Sequence, residues 1–524
     1  MVLPEVNGTE LPLLLFALIP IGTAIILILI ESLLKPSRIR RDIVHVIAFI
    51  GALLDISLAY FVGYKMLEDF DGTIRSYTDD TFLMLEADGT SIFFIMIFTT
   101  VHFAISMYCI NFMEQFEELP RFYALLLSVI GGLNLIVLAT DYFTLFVAYE
   151  GMALCAYAMV GFYRDIEASE AGFKYMMMSS AGSLMMLYGL ALLYGVTGSL
   201  KFIDLAQATP QNNMILTTAI LMMVAGFGVK ASFLFFNQWL PDAHPAAPPP
   251  AHAMLSGLIV IAGTYGILRT FNLVIPLDLA TTSTINGTTT SDWGTILIFL
   301  GIFTSLQGNL FVLIQFMRSD PKARNLKRIF AFSTIAHMGY LITGIGTANE
   351  TGFTGVMMHA LNHAVAKGIV FCITGYLIIS TGTYYLDYYK GLGRREPIIG
   401  TCLVIGLFSL ASVPLTGGFW SKLYIILALF ENPDHDIAMI AGLSMLAITI
   451  LAAAGYLWII KYVVMDKSDM DEKYLIRFDE RNKLRNSWSM KIAIIFLTIV
   501  ALILGLFPGW FIDISFEAAA TLLS

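Results

Sequence analysis

The chain has 524 residues, of which 57% are hydrophobic and 13% charged, and its formal net charge is −9. Soluble domains carry about 25% charged residues, so this composition predicts a protein with many membrane-spanning segments. No basic patch with interleaved aromatic residues occurs, which argues against a nucleic-acid-binding protein. The four cysteines are isolated within apolar stretches, so we expect no metal or redox centre in this chain: Cys109, Cys155, Cys372 and Cys402.

Apolar stretches of about 20 residues are long enough to cross a bilayer as helices. They recur along the whole chain and predict an all-α membrane protein with about 14 transmembrane helices. We number them as segments one to fourteen. They lie near 12–34, 42–65, 89–113, 120–139, 142–162, 171–196, 214–236, 250–272, 293–317, 328–347, 355–381, 398–430, 437–465 and 488–512.

The links between segments differ in charge, and this difference predicts the orientation. Links after odd-numbered segments hold most of the lysines and arginines, in residues 35–41, 121, 164, 318–328, 390–395 and 467–485. Links after even-numbered segments hold few basic residues and many acids. By the positive-inside rule, the basic links face the cytoplasm and both termini face outside. The link after segment seven carries no lysine or arginine and gives no information.

Three Asn-x-Thr sequences fall on the predicted outer face, at Asn7, Asn286 and Asn349. Such a site is used only in a translocated loop. Short surface loops favour asparagine and threonine in any case, so the sequence leaves glycosylation open.

Segment seven carries Lys230 at membrane depth and is followed by five prolines between Pro241 and Pro250. A charged side chain within a bilayer is costly, so it marks a functional site by default. Prolines interrupt helices, and irregular backbone at this depth must pack in protein or line a wet cavity. We therefore expect an interrupted helix beside an ion path.

Several motifs recur in order along the chain. They are Trp239-Leu-Pro-Asp-Ala-His-Pro245 with Leu255-Ser-Gly257 and Gly263, Lys327-Arg-Ile-Phe-Ala-Phe-Ser-Thr-Ile-Ala-His-Met-Gly-Tyr340, Gly391-Leu-Gly-Arg-Arg-Glu-Pro397, and Ser409-Leu-Ala-Ser-Val-Pro-Leu-Thr-Gly-Gly-Phe-Trp-Ser-Lys422. This set resembles the antiporter-like membrane subunits of respiratory complex I, the multisubunit cation/proton antiporters and the membrane-bound hydrogenases. The resemblance covers roughly residues 85–425.

The resemblance implies two inverted five-helix repeats, each with one interrupted helix. The chain then divides into N-terminal helices, a first repeat, a second repeat, and a last helix with its tail: residues 1–119, 120–272, 293–465 and 488–524. Segments seven and twelve fit the interrupted helices, because prolines follow the first while Pro414 and Gly417-Gly418 break the second. Such interruptions in corresponding places point to an ion-binding region.

Glu150 lies about eight residues into segment five. It could simply be bonded to a serine or to backbone, but an unpaired carboxylate at this depth is expensive. The family pairs a glutamate here with the lysine of segment seven, so the resemblance implies a Glu150–Lys230 ion pair. Pairing favours the charged lysine and burial the neutral one, as a switchable proton site requires.

Segment eleven places His359, His363 and Lys367 at i, i+4 and i+8, on one helix face. A single histidine would more often be a satisfied core residue, but three titratable groups on one face favour a proton path. Successive groups rise by about 6 Å, more than a hydrogen bond spans, so we expect bridging water and convergence on Lys422. A metal site is the weaker alternative, because no carboxylate or cysteine cluster is near.

Lys422 corresponds to the terminal site of the family, although a lysine here could also extend to the outer interface. His337 is either a connecting or a core histidine. Two positions depart from the family: Ile261 replaces a usual lysine, and His252 lies where we expect the cytoplasmic mouth of segment eight. We therefore expect an apolar gap near Ile261 and a weaker or water-dependent link back to Lys230. Either His252 contributes from the cytoplasmic side, or the first half works differently or is idle. His244 and Asp242 share that mouth, where ordinary capping or surface roles are the alternative.

The resemblance implies a multi-pass cell-membrane subunit that moves protons, or exchanges Na⁺ for H⁺, within a redox-driven complex. Fe–S clusters, and a flavin or a NiFe centre, would lie in a peripheral redox module made of other chains. The expected partners of this chain are other membrane subunits of the same complex, that peripheral redox module, the lipid bilayer and the transported H⁺ or Na⁺. Two alternatives stay open: a subunit of a redox-independent multisubunit Na⁺/H⁺ antiporter, and a scaffold subunit that conducts no ions.

Overall fold

The protein folds almost entirely as α-helices. A computed structural model describes residues 13–68, 73–77, 84–207, 213–274, 282–285, 288–318, 320, 324–432, 434–467 and 487–523. The helices of the first half are α1 Leu15–Leu33, α2 Arg38–Glu68, α3 Gly89–Phe112, α4 Leu119–Leu138, α5 Tyr142–Val160, α6 Ile166–Thr197, α7 Phe202–Leu205, α8 Asn213–Lys230, α9 Leu240–Ala246, α10 Pro249–Met254 and α11 Val260–Val274. The helices of the second half are α12 Asp292–Met317, α13 Leu326–Gly346, α14 Glu350–Thr381, α15 Leu392–Arg395, α16 Pro397–Ala411, α17 Gly417–Phe430, α18 His435–Ile460, α19 Trp488–Leu506 and α20 Pro508–Leu523.

Short irregular elements complete the described chain. Single 3₁₀ turns occupy Met113–Gln115 and Leu386–Tyr389, and π-turns occupy Leu255–Ile259 and Lys461–Met465. Two antiparallel strand pairs are present, β1 Thr73–Tyr77 with β2 Met84–Asp88, and β3 Thr282–Ile285 with β4 Thr288–Ser291.

Twelve helices within the described residues are long and apolar enough to cross a membrane. One of them is the continuous stretch formed by α10, the π-turn and α11. Three shorter apolar helices are Met214–Lys230, Pro397–Ala411 and Gly417–Phe430. The all-α membrane fold is therefore confirmed. The total of fourteen spans, which requires α8 as one span and α16 with α17 as another, stays a prediction.

The links predicted to be basic lie together at one end of the bundle. Arg121 pairs with Glu31 at 2.9 Å, and Arg41 donates to the Glu114 carbonyl at 3.1 Å. Arg324 pairs with Asp387 at 3.1 Å. We call this end the basic face; among the described residues it holds 34–37, 113–118, 161–165, 324–325 and 382–396. Which side of the membrane it faces stays a prediction, and most of the 466–488 link lies outside the described residues.

A proline within α1 explains one polar contact among the N-terminal helices. Pro20 has no N–H, so it leaves the carbonyl of Phe16 without its helical donor. The Asn134 amide on α4 donates to this carbonyl at 2.9 Å and to Asp55 Oδ1 on α2 at 3.3 Å. A buried side chain therefore ties α1, α2 and α4 together.

Both predicted helix interruptions are present, and they have the same backbone geometry. After α8, Ser232 and Phe235 have φ of 57° and 74°; after α16, Ser412 and Leu415 have φ of 60° and 70°. Positive φ is costly for residues with a side chain, so the surrounding packing must impose it. Each break also closes with a hydrogen bond from the residue after the first positive φ to a carbonyl five residues back, at 3.0 Å.

The sequence suggested that the first break lies at the proline run, but the structure places it before the prolines. It spans residues 231–239, and the prolines then start helices: Pro241 lies in the first turn of α9, and Pro249 is the first residue of α10. Proline suits this position because the first N–H groups of a helix have no intrahelical partner. The prolines do interrupt the helix, between α9 and α10 at Ala247 and Pro248, but an additional break that the sequence did not indicate lies before them.

Other features of the two halves match in pairs. Helices α6 and α14 are both 32 residues long, and both end at a glycine of positive φ, Gly198 and Gly382. Short bridges join Asp141 to Lys201 and Asn325 to Tyr385 at the start of α5 and of α13. These pairs are what two related halves would produce. The division into two inverted repeats remains a prediction that they support.

Asn349 lies at a described glycosylation sequence, whereas Asn7 and Asn286 fall outside the described residues. Its side chain caps α14 by accepting from Gly352 N at 2.8 Å, and its amide donates to the Ala428 carbonyl at 3.2 Å. The same amide donates to Glu431 Oε2 at 3.3 Å, and a glycan would remove one of its two N–H donors.

The last residues form a helix rather than the tail that we expected. In α20, Phe511, Ser515, Ala518, Ala519 and Leu522 are buried, at helical spacing. Thr521 on this helix bonds Thr90 at the start of α3, with the two hydroxyls 3.1 Å apart. The periodicity after Pro508 was the signal for it.

Candidate functional site

The predicted Glu150–Lys230 ion pair is present. Lys230 Nζ lies 3.3 Å from Glu150 Oε1, and the hydroxyl of Ser183 on α6 donates to the same oxygen. The carboxylate is thus bonded both to the lysine and to a serine. Lys230 is the last residue of α8, where a cation is stabilised by the carbonyl end of the helix dipole.

Aromatic side chains surround the Lys230 ammonium. Tyr157 Oη lies 3.3 Å from it, and the rings of Tyr149 and Tyr157 have centroids at 5.2 and 5.9 Å. The lysine side chain is only 2% exposed, whereas that of Glu150 is 30% exposed. Lys230 is therefore enclosed by protein, while its partner reaches the outside of the bundle.

Glu150 lies on the outward-facing side of α5. Phe143, Val147 and Leu154 on that side are 57%, 53% and 63% exposed. A carboxylate in contact with lipid is expensive. This side of the chain consequently suits contact with another protein better than contact with lipid.

The three titratable residues of α14 face the bundle interior, as predicted. His359, His363 and Lys367 have no exposed surface. Lys367 donates to the Phe330 carbonyl at 2.9 Å and to Ser333 Oγ at 2.6 Å, both on α13.

The π-turn in the eighth segment supplies the partner of His363. In such a turn, the backbone hydrogen bonds run to the fifth residue and not the fourth. Here Val260 N–H bonds the Leu255 carbonyl, and the neighbouring Ser256 carbonyl lies 3.0 Å from His363 Nε2. The Ser256 hydroxyl in turn bonds Thr334 on α13 at 2.5 Å.

An unbroken series of hydrogen bonds runs from α14 through α13 and α18 to α17. From Lys367 it passes to Ser333, then Tyr456 at 2.5 Å, then His337 at 3.2 Å. His337 contacts His359 at 3.0 Å, and His359 contacts Ser421 at 3.0 Å. We call these six residues the buried chain: Lys367, Ser333, Tyr456, His337, His359 and Ser421.

The buried chain corrects two expectations. The gaps along α14 are bridged by side chains from α13 and α18, so bridging water is not required there. The α14 residues also do not all converge on Lys422: His359 reaches α17, but His363 and Lys367 contact the π-turn and α13. His337, foreseen as a connecting or core residue, connects.

Lys422 is enclosed and does not extend to the membrane surface. It is 2% exposed, and its ammonium lies 4.0 Å from the centre of the Tyr340 ring. The ammonium donates to the carbonyl of Leu410 at 3.5 Å, just before the second break. The buried chain ends at Ser421, the residue that precedes it.

The sequence suggested that His252 and His244 lie at an open cytoplasmic mouth, but the structure does not place them there. Both are fully buried, with ring centroids 4.3 Å apart. The proline-led helices α9 and α10 fold inward and carry them into the interior. Asp242 stays near the surface and pairs with Lys174 and Arg328.

Ile261 is buried, and the contacts from Lys230 towards His244 are aromatic. They pass through Tyr157, Tyr175 and Trp239, with the last two rings stacked at 4.0 Å. Close packing of Gly263 against Ala231 holds α11 beside the first break. This arrangement agrees with a weak link between Lys230 and the second half.

Sequence reasoning missed four hydroxyl-bearing residues of the site: Ser183, Ser333, Ser421 and Tyr456. Ser333 and His337 are at i and i+4 on α13, so their shared face was a usable signal. The sequence around Tyr456 contains no such signal, because the role of this residue depends on how α18 packs against α13.

Comparison with known proteins gives the following findings. Residues 139–449 match the family described as NADH:quinone oxidoreductase/Mrp antiporter, TM. The chain is 30% identical over 440 residues to NADH-quinone oxidoreductase subunit N of Heliobacterium modesticaldum, covering 83% of this chain and 86% of that one. It is 26% identical over 520 residues to F(420)H(2) dehydrogenase subunit N of Methanosarcina mazei, covering 97% and 98%. Its fold matches a chain of the membrane-bound sulfane sulfur reductase, an archaeal respiratory membrane complex, with TM-score 0.81, 24% identity and 98% coverage of both chains.

Proposed function

Because the chain belongs to the NADH:quinone oxidoreductase/Mrp antiporter family, we propose that it is an ion-pumping membrane subunit of a redox-driven complex. The ion that moves through its second half is the proton. The chain carries no electrons itself; Fe–S clusters, with a flavin or a NiFe centre, are held by partner subunits in a peripheral module.

The observation that carries the proposal is the buried chain. Each of its members can accept or release a proton, and each lies within hydrogen-bond distance of the next. Serine and tyrosine hydroxyls accept one proton while they donate another, and imidazole does so through its two nitrogens. A proton that arrives at Lys367 can therefore displace one at Ser421, and the next residue, Lys422, receives it as the outlet of the path.

The chemistry of these residues favours H⁺ over Na⁺. Hard cations bind through several oxygen atoms, chiefly carboxylates and carbonyls. The buried chain has an amine, two imidazoles and three hydroxyls, and no carboxylate. It suits proton transfer and offers Na⁺ a poor site.

The Glu150–Lys230 pair acts as a charge switch for the first half. The Coulomb attraction between the two groups is strong where water is scarce, so separation of the pair changes the proton affinity of Lys230. Because the Glu150 side chain is partly exposed, a neighbouring membrane subunit can contact it and change its distance from Lys230. His252 contributes to the path that leads to Lys367.

The test is proton pumping by the purified complex in sealed vesicles, driven by its electron donor. Lys367→Met should lower pumping by about a hundredfold, ~2.7 kcal/mol, because the buried chain loses the residue at which it begins. Lys491→Met is the matched control, since this lysine is not a member of the buried chain and pairs with Glu396. Undiminished pumping by an assembled Lys367→Met complex would refute the proposal.

A subunit of a redox-independent Na⁺/H⁺ antiporter is the second candidate, because the family description covers such antiporters. Metal and flavin analysis of the purified complex separates the two. Iron, acid-labile sulfide and flavin or nickel in fixed ratio to this chain support the redox-driven pump. Their absence from a complex that exchanges Na⁺ for H⁺ supports the antiporter.

The chain is a multi-pass membrane protein, and we propose that the basic face is cytoplasmic with both termini outside. Single cysteines in the 466–488 link and in residues 1–10 test this with an impermeant thiol reagent. Labelling of the 466–488 link in sealed cells would reverse the orientation.

A further inference from the structure

A cavity opens at the basic face between α6, α9 and the start of α13. Its volume is about 410 Å³, far more than one water requires. Charged side chains of both signs line it: Glu167, Glu170, Lys174, Asp242, Arg318 and Arg328. We call this cavity the vestibule. A cavity so lined holds water.

The floor of the vestibule is built from the helix that carries His244. Pro245 lines the cavity, and its carbonyl has no helical donor, because Pro249 four residues later lacks an N–H. The ammonium of Lys327 takes the place of that donor, at 2.9 Å, and also bonds the Ala247 carbonyl at 2.8 Å. The floor is therefore one turn of proline-rich backbone held by a buried lysine.

His244 and His252 lie beneath this floor, and none of their four ring nitrogens has a hydrogen-bond partner. Among the buried histidines of the described chain, these two alone have both nitrogens unpaired. His45 and His102 each bond one nitrogen, to Tyr123 and Ser106. A buried polar group without a partner costs about 1–3 kcal/mol. Two adjacent imidazoles in this state make a site that water or a proton would stabilise.

The pair also borders the start of the buried chain. His252 stacks on Phe371 with ring centroids 3.7 Å apart, and the Lys367 ammonium lies 5.7 Å from the centre of the same ring. Phe371 follows Lys367 by one helical turn. Vestibule, histidine pair and Lys367 thus lie in sequence.

We infer that the His244–His252 pair is the proton-loading site of the second half, with the hydrated proton as its ligand. Water in the vestibule delivers a proton to a free ring nitrogen of His244, which becomes an imidazolium. That proton passes to His252, and a bridging water carries it past the Phe371 ring to neutral Lys367, because no direct hydrogen bond joins the two side chains. Both imidazoles then return to the neutral form. The inference rests on the proposed function, because it names the entrance to the buried chain.

Two substitutions of His252 separate proton carriage from packing or hydration. His252→Phe keeps a ring against Phe371 without nitrogen, and His252→Gln keeps hydrogen bonding without a titratable group. Both should lower donor-driven pumping by the vesicle-reconstituted complex by about tenfold. His102→Phe, a buried histidine away from the path, should stay within about twofold. Full pumping by either His252 variant in assembled complex would overturn the inference.

A second experiment needs no change at the histidines. A cysteine in place of half-exposed Lys174 in the vestibule is modified with a bulky maleimide, and a cysteine in place of exposed Lys201 at the opposite end is the control. Modification of the cysteine at position 174 should lower pumping by about tenfold, whereas modification of the cysteine at position 201 should leave it unchanged. Equal pumping after modification at 174 would exclude entry through the vestibule. If Lys367→Met abolishes pumping while all these variants pump normally, only the loading site is wrong; if Lys367→Met also pumps, the proposed function fails.

Discussion

The two halves of the molecule share a backbone design and differ in chemistry. Helices α6 and α14 have equal length, and the breaks after α8 and α16 place positive φ at matched positions. Ser183 on α6 and Lys367 on α14 occupy the same position counted from the start of each helix. Yet the serine bonds a carboxylate, while the lysine begins a series of imidazoles and hydroxyls.

The halves also differ in how they meet their surroundings. The Glu150 side chain in the first half is 30% exposed. Every member of the buried chain, in contrast, is enclosed by protein. An exposed carboxylate can respond to a neighbouring subunit. A sealed series of hydrogen bonds cannot do so directly, but it can conduct. We therefore propose that the same scaffold supports a charge-sensing half and a conducting half.

The largest expected effect comes from the centre of the conducting half. His337 bonds both Tyr456 and His359, so His337→Phe interrupts the buried chain on both sides. Donor-driven pumping in vesicles should fall by about a hundredfold. Tyr340→Phe is the control, because it keeps the ring that packs on His337 and loses a hydroxyl that lies outside the buried chain. If the two variants pump alike, the distinction between the halves collapses.

Glu150→Gln should have a smaller effect, about tenfold on pumping, since it weakens a switch and leaves the conducting half intact. The glutamine keeps the shape of the side chain and can still accept from Ser183. Blue-native gels should show normal assembly. Failed assembly, with normal pumping by the residual complex, would make the pair structural.

Ser183→Ala should have the smallest effect, about twofold on pumping, because Lys230 still pairs with Glu150 Oε1. The matched change in the other half, Ser333→Ala, removes a member of the buried chain and should cost about tenfold. Equal losses at the two serines would show that the halves work alike.

The sequence predicted the membrane fold, the ion pair and the inward face of α14, because each depends on local periodicity or on a family motif. It misplaced His244 and His252, since a proline run looks like a surface loop although its prolines begin two buried helices. It could not give Tyr456, because the contact with His337 depends on how two helices distant in sequence pack.

The position of the first break was missed for a related reason. Nothing between Ala231 and Trp239 is a proline or a glycine, and the positive φ at Ser232 and Phe235 is imposed by tertiary packing. Likewise, the π-turn that presents the Ser256 carbonyl to His363 has no signature in the residues 255–259.

The central claim is that the six residues of the buried chain act as one path, and paired substitutions measure this most directly. Ser333→Ala and Tyr456→Phe each remove one hydroxyl from it, and each should lower donor-driven pumping by about tenfold. Residues that act as a unit are strongly non-additive. The double variant should therefore also lose about tenfold, whereas a loss of about a hundredfold would mean that the two hydroxyls act separately and would contradict the account.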